Sequence, residues 1–236
     1  MIEYEPKKDP KVVFCMATLW RPVEATLDAL EASIPHVEAA GWKHALVSEI
    51  ACPYISAARS KLLRKAIDAD ATDIFFLDDD LSWEPEAPAR LLQTKGDIVA
   101  GTYRFRQDEE AYMGTLYTTA DGRPIVRPED GAIIAEWVPA GFLRVTLNAV
   151  RKLMRRFPEL VYGLPEKPHF DLFHHGAHNG LWYGEDYAFS RRAHEAGLQV
   201  VIVPDLSITH HDKRSGRKYG GNFHEFLLKQ PGGSKA

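Results

Sequence analysis

The first hundred residues alternate short, unbroken apolar runs with segments whose apolar residues recur every three or four positions, and this alternation constrains the fold more than any other feature. Val12-Val13-Phe14-Cys15-Met16-Ala17 is continuous and β-branched at its start, the pattern of a strand covered on both faces. From Val23 to Ala40, Leu27, Leu30, Ile34 and Val37 fall at helical spacing, and Gly41 supplies a stop. His44 to Ile50 predicts a second strand, and Ser56 to Ile67 a second helix, with Ala58, Leu62 and Ala66 on one face. Ile74-Phe75-Phe76-Leu77 predicts a third strand, Trp83 to Leu92 a helix with Pro85 near its start, and Asp97 to Gly101 a fourth strand. Strand and helix in strict alternation predict an α/β protein with a mainly parallel central sheet, whose ligands lie beyond the carboxyl ends of the strands.

After Tyr103 the pattern loosens. Short strands are expected at Ala132 to Val138, Phe142 to Thr146 and Gln199 to Val203. Helices are expected at Leu147 to Phe157 and at Glu185 to Ala196, the latter stopped by Gly197. Pro158 to Gly180 reads as a long loop rich in histidine and aromatics, and Lys213 to Ala236 as a basic, Gly-rich tail with a short amphipathic piece before Pro231-Gly232-Gly233. A chain of 236 residues suits one domain, taken here as residues 1–212 with 213–236 as a tail or lid.

A formal charge of -4 argues against a globally basic nucleic-acid binder and leaves local patches open. Cys15 and Cys52 have no metal-type spacing and read as reduced thiols. Met1 to Lys11 holds no apolar core of a secretory signal, and charge interrupts every apolar run, so a soluble protein of the cytoplasm is expected.

Asp78, Asp79 and Asp80 follow the third apolar run directly. Adjacent carboxylates repel, and a hard divalent ion such as Mn²⁺ or Mg²⁺ would relieve that while recruiting a diphosphate. A solvated acidic turn capping the next helix explains the same residues equally well.

Together, Phe75-Phe76-Leu77-Asp78-Asp79-Asp80, Pro85-Glu86-Ala87, Asp97-Ile98-Val99-Ala100-Gly101, Gly184-Glu185-Asp186-Tyr187 and the strand ending at His210 resemble, in order and over roughly residues 11 to 212, the GT-A glycosyltransferases. The similarity is to the family 2-like group of bacterial and phage type. It implies a Rossmann-like nucleotide-diphospho-sugar transferase fold and a metal-dependent hexosyltransferase that takes a nucleotide-sugar donor, with UDP the commonest carrier in the family. It further implies that Asp78 contacts ribose or metal, that Asp80 is the principal metal ligand with Asp79 beside it, and that His210 or its neighbour His211 completes the metal site. Asp186 matches the catalytic base, with Glu185 orienting the acceptor.

On the donor side the resemblance points to Thr18, Trp20 and Arg21 after the first strand, to Glu49 and Arg59 near base and ribose, and to Lys213 and Lys218 as a lid over the diphosphate. Each has a plainer reading: Arg59 as a solvated helix residue, Trp20 as a cover over Pro22, the tail as a segment touching nothing. His169, His174, His175 and His178 suit acceptor recognition or plain surface. The acceptor is open among polysaccharide, protein and a hydroxylated base in phage DNA. The rival functions are a metal-dependent phosphoesterase or nuclease, and a non-catalytic nucleotide- or carbohydrate-binding module.

Overall fold

The structure, a computed structural model, describes residues 9–230; the charged N-terminal residues up to Lys8 and the Pro231-Gly232-Gly233 end of the tail lie outside the described residues. The first half follows the expected alternation: β1 (Lys11–Thr18), α1 (Glu24–Ala39), β2 (Lys43–Ile50), α2 (Ile55–Asp68), β3 (Asp73–Asp78), β4 (Leu81–Trp83), α3 (Ala87–Gln93) and β5 (Ile98–Ala100). The second half comprises β6 (Thr115–Leu116), β7 (Ile133–Trp137), β8 (Phe142–Thr146), α4 (Leu147–Arg156), β9 (Val161–Leu164), β10 (Lys167–Phe170), β11 (Gly176–His178), β12 (Leu181–Tyr183), α5 (Glu185–Glu195), β13 (Val200–Ile202), β14 (Ile208–His211), β15 (Lys218–Tyr219) and α6 (Phe223–Lys229).

The main sheet has eight strands in the order β2-β1-β3-β8-β5-β13-β7-β6. Strands β2, β1 and β3 run parallel, as do β5 and β13, while β8 and β7 are reversed. Alternate side chains of the central strands divide between two apolar layers. Val13, Cys15, Ile74 and Phe76 pack with Leu62 and Leu63 of α2, Val150 of α4 and Phe189 of α5. Val12, Phe14, Phe75 and Leu77 pack with Leu30 and Val37 of α1 and Leu91 of α3. Burial on both faces is why these runs carry no polar alternation. Asp73 on β3 and Arg144 on β8, set diagonally across the two strands, form a buried pair at 2.5 Å, and the Arg144 fork also reaches the Gly96 carbonyl.

Several expectations need correction. The segment expected to start a helix at Trp83 is instead β4, and the helix begins at Ala87, because Leu81–Trp83 pairs with β14. The late strand does not run through to His210: β13 ends at Ile202 and His210 belongs to β14, in a three-stranded sheet β15-β14-β4. The expected loop from Pro158 contains a 3-10 turn (Pro158–Leu160), the hairpin β9-β10 and the strand β11, which pairs with β12. The described part of the tail is packed: β15 pairs with β14, and Phe223 and Phe226 of α6 lie against Tyr112. Among the described residues no helix is long and apolar enough to cross a membrane.

Candidate active site

The carboxyl ends of β1, β3 and β5 open on one side of the sheet. Because β8 is reversed, its first residues arrive there too, and the Asp78 amide donates to the Gly141 carbonyl at 2.9 Å. The result is an open cleft of about 1480 Å³. Of the residues singled out in the sequence, Thr18, Trp20, Arg21, Arg59, Asp78, Asp79, Asp80, Glu185, Asp186, His210 and Lys213 all line it. Glu49, His211 and Lys218 do not. Glu49 accepts from Lys61 and Lys65, both at 2.8 Å, on the outer strand β2. His211 turns the opposite way from His210, as neighbours in a strand must, and its Nε2 meets the Ser82 hydroxyl at 2.7 Å. Lys218 is exposed on β15.

The three aspartates diverge to three different cations. Asp78 meets Arg59 at 3.0 Å, Asp79 meets Lys213 at 2.5 Å, and Asp80 meets Arg106. Arg59 is not a solvated helix residue: it is 4% exposed, lies 4.9 Å over the Phe173 ring, and reaches Asp186 at 3.4 Å and Glu185 at 3.6 Å as well as Asp78. Burial works against its charge, but Asp78, Asp186 and Glu185 outweigh that and push its pKa up. It thus ties the end of β3 to the first turn of α5.

Five carboxylates, Asp78, Asp79, Asp80, Glu185 and Asp186, therefore face three paired cations, Arg59, Arg106 and Lys213. Burial, reinforced by neighbouring carboxylates, raises two pKa values. Burial, then the charge of Asp78, lifts Asp80 to about 7 against the pull of Arg106. Burial also lifts Asp186 to about 7, opposed by Arg59 and reinforced by Glu185 and Asp78. A carboxyl poised near neutrality in a cleft is the property of a group that trades protons.

His210 is 6% exposed, and its Nδ1 lies 2.9 Å from the Arg104 carbonyl oxygen. A carbonyl can only accept, so Nδ1 carries the hydrogen and the Nε2 lone pair accepts from Arg106 Nε at 2.9 Å, with Asp80 Oδ1 3.7 Å away. Burial lowers the His210 pKa, which keeps the ring neutral. A neutral imidazole fixed from behind and a carboxylate beside it are a donor set that fits a divalent cation, with waters and phosphate oxygens supplying the rest. Among the described residues no group of three or more His, Cys, Asp or Glu has metal-holding geometry.

Sequence reading missed three residues here. Tyr103, 2% exposed, donates to Asp78 at 3.3 Å and packs edge-on against His210. Arg106 bridges Asp80 and His210. Gly141 has no room for a side chain, since an added Cβ would collide with the Tyr103 hydroxyl and the Asp78 carboxylate. The alternating Tyr103-Arg104-Phe105-Arg106 directly after an expected strand was the available signal for the first two. At the other end of the cleft, the buried Thr18 hydroxyl has no hydrogen-bond partner and Trp20 is 88% exposed.

No protein-family model matches the chain, and no curated protein matches it. Solved structures do. A197 from STIV is similar at 13% identity with a TM-score of 0.50, over 90% of this chain and 94% of that one. A structure of GalNAc-T7 with UDP, GalNAc and Mn²⁺ is similar at 11% identity with a TM-score of 0.49, over 90% of this chain and 46% of that one. The fold is GT-A. Within that architecture the acidic cleft lies where an open α/β sheet accepts its ligand.

Proposed function

We propose that the protein is a metal-dependent glycosyltransferase that moves a sugar from a nucleoside diphosphate, with UDP the first choice, to a hydroxyl group. One observation carries this reading: residues 108 and 132 positions apart in sequence, Asp186 and His210 relative to Asp78, converge with it on one cleft at the carboxyl ends of the strands. A solvated acidic turn would not explain that convergence.

In this reading Thr18, Trp20 and Arg21 receive the nucleoside, Trp20 by stacking and Arg21 through phosphate. Asp80 and His210 would hold the cation, with Asp78 next to them. A bound Mn²⁺ or Mg²⁺ supplies Lewis-acid stabilisation of the departing diphosphate. Lys213, which already reaches Asp79 and the Arg21 carbonyl, adds positive charge on the same side. Asp186, poised near pH 7, takes the proton from the acceptor hydroxyl, while Arg59 fixes its position and Glu185 meets the acceptor. The acceptor belongs to the side of α5 and β12, where Trp182 stands 74% exposed and offers a stacking surface. Polysaccharide, protein and a hydroxylated base in DNA all present a suitable hydroxyl.

The test needs no acceptor. A panel of nucleotide sugars is screened for hydrolysis of the donor with and without Mn²⁺, in the wild type and in Asp80→Ala and Asp186→Ala. Metal-dependent hydrolysis of one donor, lost in Asp80→Ala, is the expected result. Full hydrolysis and transfer in both variants would sink the assignment.

A further inference from the structure

Arg106 sits in the connection between β5 and β6, on an exposed turn spanning residues 106–109. Its Nε lies 2.9 Å from the Nε2 of His210, and a terminal nitrogen of the same guanidinium contacts Oδ2 of Asp80. His210 Nε2 is the lone-pair nitrogen, because Nδ1 is committed to the Arg104 carbonyl. Arg106 thus satisfies both groups that a cation would use, in the place where they converge. Two donors on one planar head make this a fitted contact rather than a chance approach of charges.

The same guanidinium is also far less buried than Arg59. Its side chain is 41% exposed, against 5% for Arg59. The turn that carries it is held at its base by the Phe105 amide to the Ala111 carbonyl at 3.0 Å, and at its tip by the ion pair of Asp108 with Arg217. Neither attachment involves the Arg106 side chain, which lines the open cleft.

Resting on the metal-dependent reading of the cleft, we infer that Arg106 and a divalent cation compete for the same two ligands, Asp80 and His210, so that Arg106 is a latch that donor loading must open. A guanidinium and a dication would not share the pair: both are positive, and a cation would need the His210 Nε2 lone pair and the Asp80 carboxylate that Arg106 engages. With the latch closed, the acidic floor is partly neutralised and the chain tolerates five carboxylates without metal. With a metal-diphosphate bound, the released Arg106 is left in an anionic cleft beside the new phosphates.

Metal binding alone tests this, without sugar transfer. Free Mn²⁺ is followed by electron paramagnetic resonance during titration of the wild type, Arg106→Gln, Arg106→Lys and the double variant Arg106→Gln/Asp80→Asn, in buffer without nucleotide. Removing a competitor should tighten Mn²⁺ binding by about tenfold in Arg106→Gln, within the usual range of coupling between two sites. Arg106→Lys keeps the charge but not the two-pronged contact and should fall between it and the wild type. The double variant should lose the gain. Equal or weaker Mn²⁺ binding in both single variants overturns the latch, and so does a gain that survives loss of Asp80. Should Arg106→Gln fail to fold, by circular dichroism, Arg106→Lys decides alone. Tighter Mn²⁺ binding without hydrolysis of any donor would reject the transferase and keep the latch; unchanged binding with intact donor hydrolysis would do the reverse.

Discussion

Arg59 joins Asp78 and Asp186 through one buried guanidinium, at 3.0 Å and 3.4 Å, although the two carboxylates lie on different elements, β3 and α5. Two acids of a prospective donor site and acceptor site are thereby held at a fixed separation. Arg59→Gln leaves both without their shared partner, and removal of one member of a buried ion pair costs about 3–5 kcal/mol. Denaturant unfolding should show that loss. Arg59→Lys should recover only part of it, because a single ammonium cannot serve three carboxylates in a fork.

Asp186 sets a pH dependence whose sign follows from its raised pKa of about 7. As a base it works only when ionised, so kcat/KM should fall as pH drops below about 7. Asp186→Asn should cost about 10²- to 10⁴-fold and flatten the acid limb. The stability effect has the opposite sense. A carboxyl whose folded pKa is raised favours the folded state at low pH, and that contribution is lost as pH rises through about 7. Asp186→Asn should therefore gain stability over the wild type at pH 8 and show no such gain at pH 3, as thermal melts in metal-free buffer would record.

His210→Ala removes the Nε2 lone pair beside Asp80 while leaving the backbone pairing of β14 with β4 intact. Mn²⁺-linked nucleotide binding, measured by calorimetry, should weaken by about 10- to 100-fold, the usual cost of disturbing a metal's ligands or their supports. His211→Ala, which loses only the Ser82 contact, should leave that binding near the wild-type value.

Gly141→Ala forces a methyl group into Tyr103 and Asp78. Overpacking of this kind costs about 1–3 kcal/mol. Here it should also displace the Asp78 carboxylate from Arg59, so donor hydrolysis should drop together with the melting temperature. Gly184→Ala makes a matched control, since an added Cβ there meets nothing within 4 Å.

Much of the frame was legible because its signals are local. The apolar runs of β1 and β3 have no polar alternation, since both faces of those strands are covered by helices, and Gly41 and Gly197 close α1 and α5 as expected. Trp83 closes a strand rather than opening the expected helix because the three residues Leu81–Trp83 carry too little periodicity to show a strand, and their pairing with Ile208–His211 spans more than a hundred residues. The hairpins between Val161 and Tyr183 were hidden by the same shortness, with Gly163, Gly176 and Gly180 all at positive φ.

The acidic run, Asp186 and His210 were visible as residue types in order, and Arg59 as a helical basic residue with a choice of roles. Chain position could not say that Arg59 is buried, that Asp79 belongs to Lys213, or that Arg106 occupies the space between Asp80 and His210. The sequence by itself determined the alternating α/β frame and the placement of three carboxylates at the end of a buried strand, because hydrophobic period and strand termini act over a few residues. Tertiary structure alone decided which cation each carboxylate meets and which of two adjacent histidines faces the cleft. Those outcomes depend on strand polarity, on the reversed β8 and on loops returning from distant elements, none of which is written in any local stretch of chain.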